Sequence, residues 1–212
     1  MGNPFSFDSP VMRFIRKALD LVLLNILTFI CSLPIVTIGA SITAAHYAAT
    51  KIRADEGTVS GNFFRAFSQN FKKSTLLWMI ILAVSAVLIS GYTINRQLPV
   101  MMADVSKIVI LIVGALAAII TVWIFPLQMR YENKIGHTLK NAATLTIAYL
   151  PTTLLMLVVY LLPAILFFFV AETFVLLPFF GITAPIYWNV PLYTKILDKV
   201  DEIQAENAED EV

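Results

Sequence analysis

Side chains that support catalysis or metal binding are few in this chain and lie far apart. The chain contains two histidines, His46 and His137, and one cysteine, Cys31. Neither histidine has a Cys, Asp or Glu neighbour at the spacing of a metal site. The P-loop, dinucleotide-binding, H-E-x-x-H and G-x-S-x-G motifs are also missing. The sequence therefore predicts a protein that is not an enzyme and that holds no cofactor or metal ion.

The best candidates for a functional cluster lie in the first apolar segment. Residues 18–50 form a long apolar run that is broken by Leu33-Pro34, and we call this run the first hairpin. Its polar or small candidates, which we expect to cluster, are Asn25, Thr37, Gly39 and His46. His46 either packs as a hydrogen-bonded core residue or contacts a proton or substrate; the sequence leaves both open.

Ionisable side chains are placed at the ends of the apolar segments and not well inside them. Asp20 and Glu172 are the acidic residues nearest to such segments. Ion-coupled transporters normally carry ionisable groups at mid-membrane depth. The pattern therefore argues against a proton- or sodium-driven pump that acts alone.

The composition of the chain indicates whether these segments lie in water or in a lipid bilayer. The chain has 212 residues, of which 58% are hydrophobic and only 14% are charged, and its mean hydropathy is +0.80. Soluble domains have about 45–50% apolar and about 25% charged residues. We therefore predict an integral membrane protein.

The apolar segments predict an all-α bundle of about six transmembrane helices in three helical hairpins. After the first hairpin, spans are expected near 76–94, 108–128, 145–170 and 173–190. Of the 15 Lys and Arg residues, all but Arg96 and Lys107 fall on one inferred side, which predicts a multi-pass membrane protein with both termini in the cytoplasm. Four crossings and a re-entrant first hairpin fit the charges equally well.

An aromatic and basic stretch precedes the second predicted hairpin. We call residues 62–73 the aromatic-basic segment. On a helical wheel one face is aromatic and the other is polar and basic, which predicts an interfacial helix on anionic cytoplasmic lipids. A membrane span follows directly, and this argues against nucleic-acid binding. The residues expected to form this interfacial helix are Phe63, Phe64, Phe67, Phe71, Lys72 and Lys73.

Two further patterns bear on organisation. Residues 123–130 and 188–195 share W-x-x-P-L-x-x-[K/R], which predicts an aromatic anchor, a helix-ending proline and a headgroup cation at two span ends. Duplication and convergence both explain this shared pattern.

Residues 198–212 carry seven acidic residues and one lysine. We therefore predict one transmembrane domain over 1–197 and a partly disordered, acidic cytoplasmic tail over 198–212.

Three motifs resemble the YesL-like family of small bacterial membrane proteins of unknown function. They are Leu24-Asn-Ile-Leu27, Leu33-Pro-x-x-Thr37-x-Gly39 and Phe64-Arg-Ala-Phe-x-x-Asn-Phe-Lys72, and Ala40 departs from the expected proline. The resemblance covers most of residues 5–197. It implies a Gram-positive-type plasma membrane, no established activity and an association with ABC-type carbohydrate uptake.

Together these observations predict a non-enzymatic membrane protein that acts through partners. The resemblance makes ABC transporter subunits the expected partner class, and base rates allow a homo-oligomer. The alternative is a small-solute channel or facilitator lined by the first hairpin.

Overall fold

The computed structural model describes residues 10–95, 99–169 and 180–210. These residues are almost entirely helical, and none of them lies in a β-strand. This confirms the all-α prediction. The helices are α1 (Pro10–Ser32), α2 (Ile38–Arg53), α3 (Val59–Ile94), α4 (Val100–Arg130), α5 (Ile135–Ala148), α6 (Leu150–Phe169) and α7 (Thr183–Asp210), with a 3-10 turn at Ile35–Thr37.

Helix α2 lies at the centre of the bundle. It contacts α1, α3, α4 and α7. Ten of its 16 residues are buried, and most of these ten are small. Small side chains let helix backbones approach closely, so four neighbours fit around one short helix. The buried residues are Gly39, Ala40, Ser41, Thr43, Ala44, Ala45, His46, Ala48, Ala49 and Ile52.

The first hairpin forms as predicted, with α1 and α2 joined at Leu33-Pro34. Proline disfavours a helical conformation in the residue before it, so α1 ends at Ser32. At the open end, the Lys17 ammonium lies 3.1 Å from the Asp55 carboxylate in the turn after α2. This ion pair ties the start of α1 to the end of α2.

In the part of the chain that the structure describes, two helices, α3 and α4, are long and apolar enough to cross a membrane. They run antiparallel, since the Asn95 amide donates to the Ala103 carbonyl at 2.8 Å and the Gln128 amide donates to Asn70 at 3.2 Å. A third span results if α5 and α6 count as one, although the pair is bent by 104°. Six crossings and the sides of the two termini therefore stay predictions.

The first hairpin does not supply further spans by length and composition. Helix α2 has only 16 residues, about 24 Å, against a hydrocarbon core of about 30 Å. Helix α1 is longer, but Arg16, Lys17 and Asp20 interrupt its apolar surface. This arrangement leaves the re-entrant alternative open.

The aromatic-basic segment is not a separate helix, and its location at the membrane interface stays a prediction. Helix α3 runs without a break from Val59 to Ile94, so the segment continues directly into the span. Neither proline nor glycine lies between Asn62 and Ser90 to end the helix. The predicted interfacial stretch and the span are therefore two parts of one helix.

The span predicted at residues 145–170 is divided by a bend. Helix α5 ends at Ala148 and α6 begins at Leu150. Pro151 lacks the amide hydrogen that a continuous helix would use here. The predicted segment 173–190 lies partly outside the described residues, so the third hairpin is described only in part.

The prolines of the W-x-x-P-L pattern do not end helices, which corrects that interpretation. Pro126 lies inside α4 and Pro191 lies inside α7. Trp123 is fully buried, whereas Trp188 is 54% exposed. The two tryptophans therefore have different environments, and of the two only Trp188 is exposed, as a membrane-interface anchor must be.

The proposed division at residues 197 and 198 falls within a helix. Helix α7 continues from the apolar body through the acidic stretch to Asp210. Whether the rest of that stretch is disordered stays a prediction, and so does the division into a body and a tail.

Candidate functional site

The tip of the first hairpin explains Thr37 and Gly39 as packing residues. The Thr37 hydroxyl donates to the carbonyls of Cys31 at 2.6 Å and Pro34 at 2.8 Å, closing the turn after α1. A Cβ atom added to Gly39 would lie 2.4 Å from the Ser74 carbonyl oxygen and 2.6 Å from Trp78 Cβ. Gly39 is therefore required by the contact between α2 and α3.

Two hydrogen bonds hold the same contact. The hydroxyls of Thr43 and Ser74 lie 2.8 Å apart. The Trp78 indole donates to the Ile35 carbonyl at 2.8 Å. The tip is thus fastened to α3 by packing and by hydrogen bonds.

Asn25 organises the start of the last helix. Its side-chain oxygen accepts hydrogen bonds from the backbone amides of Ile182 at 3.0 Å and Thr183 at 3.1 Å. The Thr183 hydroxyl donates to the Leu21 carbonyl at 3.1 Å. The first amides of a helix have no partner within the helix, so Asn25 caps α7 from a distance of more than 150 residues along the chain.

His46 lies at the centre of a buried polar group. Its side chain is 2% exposed, and its Nε2 lies 3.3 Å from the Tyr160 hydroxyl. The ring of Tyr193 lies 5.4 Å from the imidazole ring, between centroids. The Nδ1 atom of His46 is buried without a hydrogen-bond partner.

His46 also lines a cavity of about 350 Å³ between α2, α4, α6 and the start of α7. Most of the described lining is apolar, and its hydrogen-bonding side chains are His46, Thr121 and Tyr160. Ile182, whose amide binds Asn25, is part of the same wall. The cavity has the size and composition of a small-molecule site.

The four candidates therefore divide into two places. Asn25 and His46 serve the region around the cavity, whereas Thr37 and Gly39 serve the tip. The structure gives a packing or capping reason for three of them, and it leaves only His46 with an unmet hydrogen-bonding group. Whether any has a functional role stays a prediction.

The aromatic-basic segment presents a mixed surface. Phe63 is fully buried and stacks on Phe67 at 6.0 Å between ring centroids, so this part of the aromatic face belongs to the core. Phe64 is 50% exposed and Phe71 37% exposed. Lys72 is exposed and Lys73 half-buried. A helical wheel cannot separate a face that meets lipid from one that meets protein, which is why Phe63 was misplaced.

One polar cluster was not predicted from the sequence. The Arg130 guanidinium donates to Asp198 at 2.6 Å and, through Nε, to Asp201 at 3.0 Å. The Tyr131 hydroxyl donates to Asp201. Burial, assisted by this bond, raises the pKa of Tyr131 above its usual value. These contacts hold the first turns of the acidic stretch against the end of α4.

Candidate metal ligands are not grouped in the part of the chain that the structure describes. No set of three or more His, Cys, Asp or Glu side chains there is close enough to share an ion. His137 is exposed on α5.

Comparison with known proteins gives one match. Residues 21–92 match a family model described as a protein of unknown function, DUF624. These residues include the second half of α1, all of α2 and nearly all of α3. Searches of the curated proteins and of the solved structures found no match. The matched region thus contains the tip, the aromatic-basic segment, the capping residue Asn25 and the cavity residue His46.

Proposed function

We propose that this membrane protein is not an enzyme and that it acts by binding a partner protein at the aromatic-basic segment. The observation that carries the proposal is the length of α3. Its 36 residues extend about 54 Å, whereas crossing the hydrocarbon core takes about 20 residues.

The residues of α3 that exceed the length of a span lie at its aromatic-basic end. The bond between Gln128 and Asn70 aligns the end of α4 with residue 70 of α3. Helix α4 ends two residues later, at Arg130, so residues 59–67 of α3 extend beyond the end of the neighbouring span. Exposed Phe64 beside exposed Arg65 is a combination that protein interfaces favour, since aromatic residues and arginine are enriched there.

We propose subunits of an ABC-type carbohydrate importer as the partner. The resemblance to the YesL-like family supports this choice, and the match to DUF624, a family of unknown function, is consistent with that resemblance. In this proposal the protein lies in the plasma membrane with both termini in the cytoplasm. Anionic lipids bind the basic side chains that the partner leaves uncovered.

Affinity purification from native membranes in mild detergent, followed by mass spectrometry, tests the proposal. Wild-type protein should recover importer subunits in stoichiometric amounts. The variant Phe64→Ser/Phe71→Ser should lose them, while Val87→Ser, a matched change at a 72% exposed position within the span, should retain them. Equal recovery from all three proteins would refute binding at this segment. Unchanged sugar uptake in a deletion strain would refute the carbohydrate role.

The cavity favours a second candidate function, a facilitator for a small solute. Its volume admits a small molecule, and His46 from the first hairpin lines it. The test is solute flux into liposomes that contain only this protein. Flux that exceeds protein-free liposomes would support a facilitator, and no flux across a broad solute panel would contradict it.

A further inference from the structure

The cavity beside His46 lies along the part of α4 that is apolar enough to cross a membrane. Ala118, an exposed residue in its lining, is 12 residues before Arg130 at the end of α4, which is about 18 Å along the helix. Helix α4 is one of the two helices able to span a membrane. A wall residue exposed at this depth opens the cavity toward lipid.

The described wall is apolar except at His46, Tyr160 and Thr121, and the Thr121 hydroxyl already donates to the Ala117 carbonyl at 2.8 Å. Ile42, Val122, Phe125 and Leu157 are among its apolar residues, and they offer no hydrogen bond from their side chains. A ligand that enters from lipid and fills this space is therefore mainly apolar.

His46 supplies the polar end. Its Nε2 is engaged by the Tyr160 hydroxyl at 3.3 Å, and its Nδ1 has no partner. If Tyr160 donates to Nε2, Nδ1 carries a proton and needs an acceptor; if Nε2 donates, Nδ1 needs a donor. A hydroxyl group satisfies either tautomer, because it both donates and accepts. Buried polar atoms in native proteins are nearly always paired, so the unpaired Nδ1 atom of His46 is the group that a ligand hydroxyl would satisfy once the imidazole turns it toward the cavity.

We propose that this cavity binds a lipid-soluble molecule with an apolar body and a single hydroxyl group that pairs with His46. The proposal is independent of partner binding at the aromatic-basic segment. It also does not require transport.

The test uses the full chain in lipid nanodiscs with a ten-carbon alcohol that carries an alkyl diazirine. After irradiation, labelled peptides are quantified by mass spectrometry. Labelling of peptides from α4, α6 and the start of α7 should saturate. Ala118→Phe, which fills the mouth, should reduce it at least about fivefold, and Ala115→Phe, at an exposed position of α4 outside the lining, should leave it unchanged.

Competition in the wild-type protein tests the hydroxyl group without any variant. Unlabelled 1-decanol should displace the probe about three- to tenfold more effectively than decane, the difference that one hydrogen bond makes. Labelling that does not saturate, or that is equal in both variants, would show ordinary lipid contact and overturn the proposal. Equal competition by decane would overturn the pairing with His46.

Discussion

Replacing Gly39 with alanine tests the contact between α2 and α3 on which the bundle is built. The new Cβ would lie 2.4 Å from the Ser74 carbonyl oxygen and 2.6 Å from Trp78 Cβ. One of these atoms belongs to the backbone, so the two helices must move apart. Overpacking of this kind costs about 1–3 kcal/mol.

The separation would also weaken two hydrogen bonds at the same contact. The Thr43–Ser74 and Trp78–Ile35 bonds are both 2.8 Å long, and each contributes about 0.5–1.5 kcal/mol. Alanine regains up to about 1 kcal/mol of helix propensity. We therefore expect a net loss of about 2–4 kcal/mol in the free energy of unfolding.

The assay is reversible unfolding in detergent micelles, followed by tryptophan fluorescence or circular dichroism. Gly114→Ala is the matched control, because its Cβ would meet only Leu88 Cδ1 at 3.7 Å, an ordinary contact. The control should be as stable as the wild type or slightly more stable. If Gly39→Ala were as stable as Gly114→Ala, the reasoning about close packing would be refuted.

The remaining predictions concern three other sites. Asn25→Ala removes the cap of α7 and should lower the free energy of unfolding by about 1–3 kcal/mol. Asn25→Asp keeps the acceptor oxygen and should recover much of this loss. Equal losses in both variants would contradict capping. Phe63→Ala should cost about 3–5 kcal/mol because this side chain is fully buried, whereas Phe64→Ala should change stability by less than about 0.5 kcal/mol; similar effects would refute their assignment to opposite environments. The pKa of Tyr131 is raised from 10.0, so its contact with Asp201 contributes fully below that pH and is lost as pH rises through the higher folded-state pKa. The stability advantage of wild type over Tyr131→Phe should therefore be constant up to about pH 10 and shrink above it; an advantage that persists in strong alkali would contradict the burial of this hydroxyl.

Local features of the first hairpin were predictable because they depend on residues close in sequence. Pro34 ends α1, and the small residues of α2 predict close helix packing even when the neighbouring helices are unknown. The span in α4 and the apolar part of α3 follow from hydropathy alone. These elements need no knowledge of which helix lies beside which.

Long-range partnerships were not predictable from this sequence. Asn25 meets the amides of Ile182 and Thr183, and Arg130 meets Asp198 and Asp201; no local pattern links residues so far apart. The environment of Phe63 was not predictable for a related reason. An amphipathic pattern shows that one face of a helix is aromatic, but it does not show whether a given aromatic side chain contacts protein, as Phe63 does, or lipid.

Site-specific photocrosslinking in living cells tests the central claim most directly. A photoreactive amino acid placed at position 64 should form adducts with a partner protein, because Phe64 lies beyond the end of α4 on a helix too long for the bilayer. The same probe at position 87, within the span, should form lipid adducts. Lipid adducts alone at position 64 would contradict partner binding at the aromatic-basic segment and would indicate that this segment lies on the membrane surface.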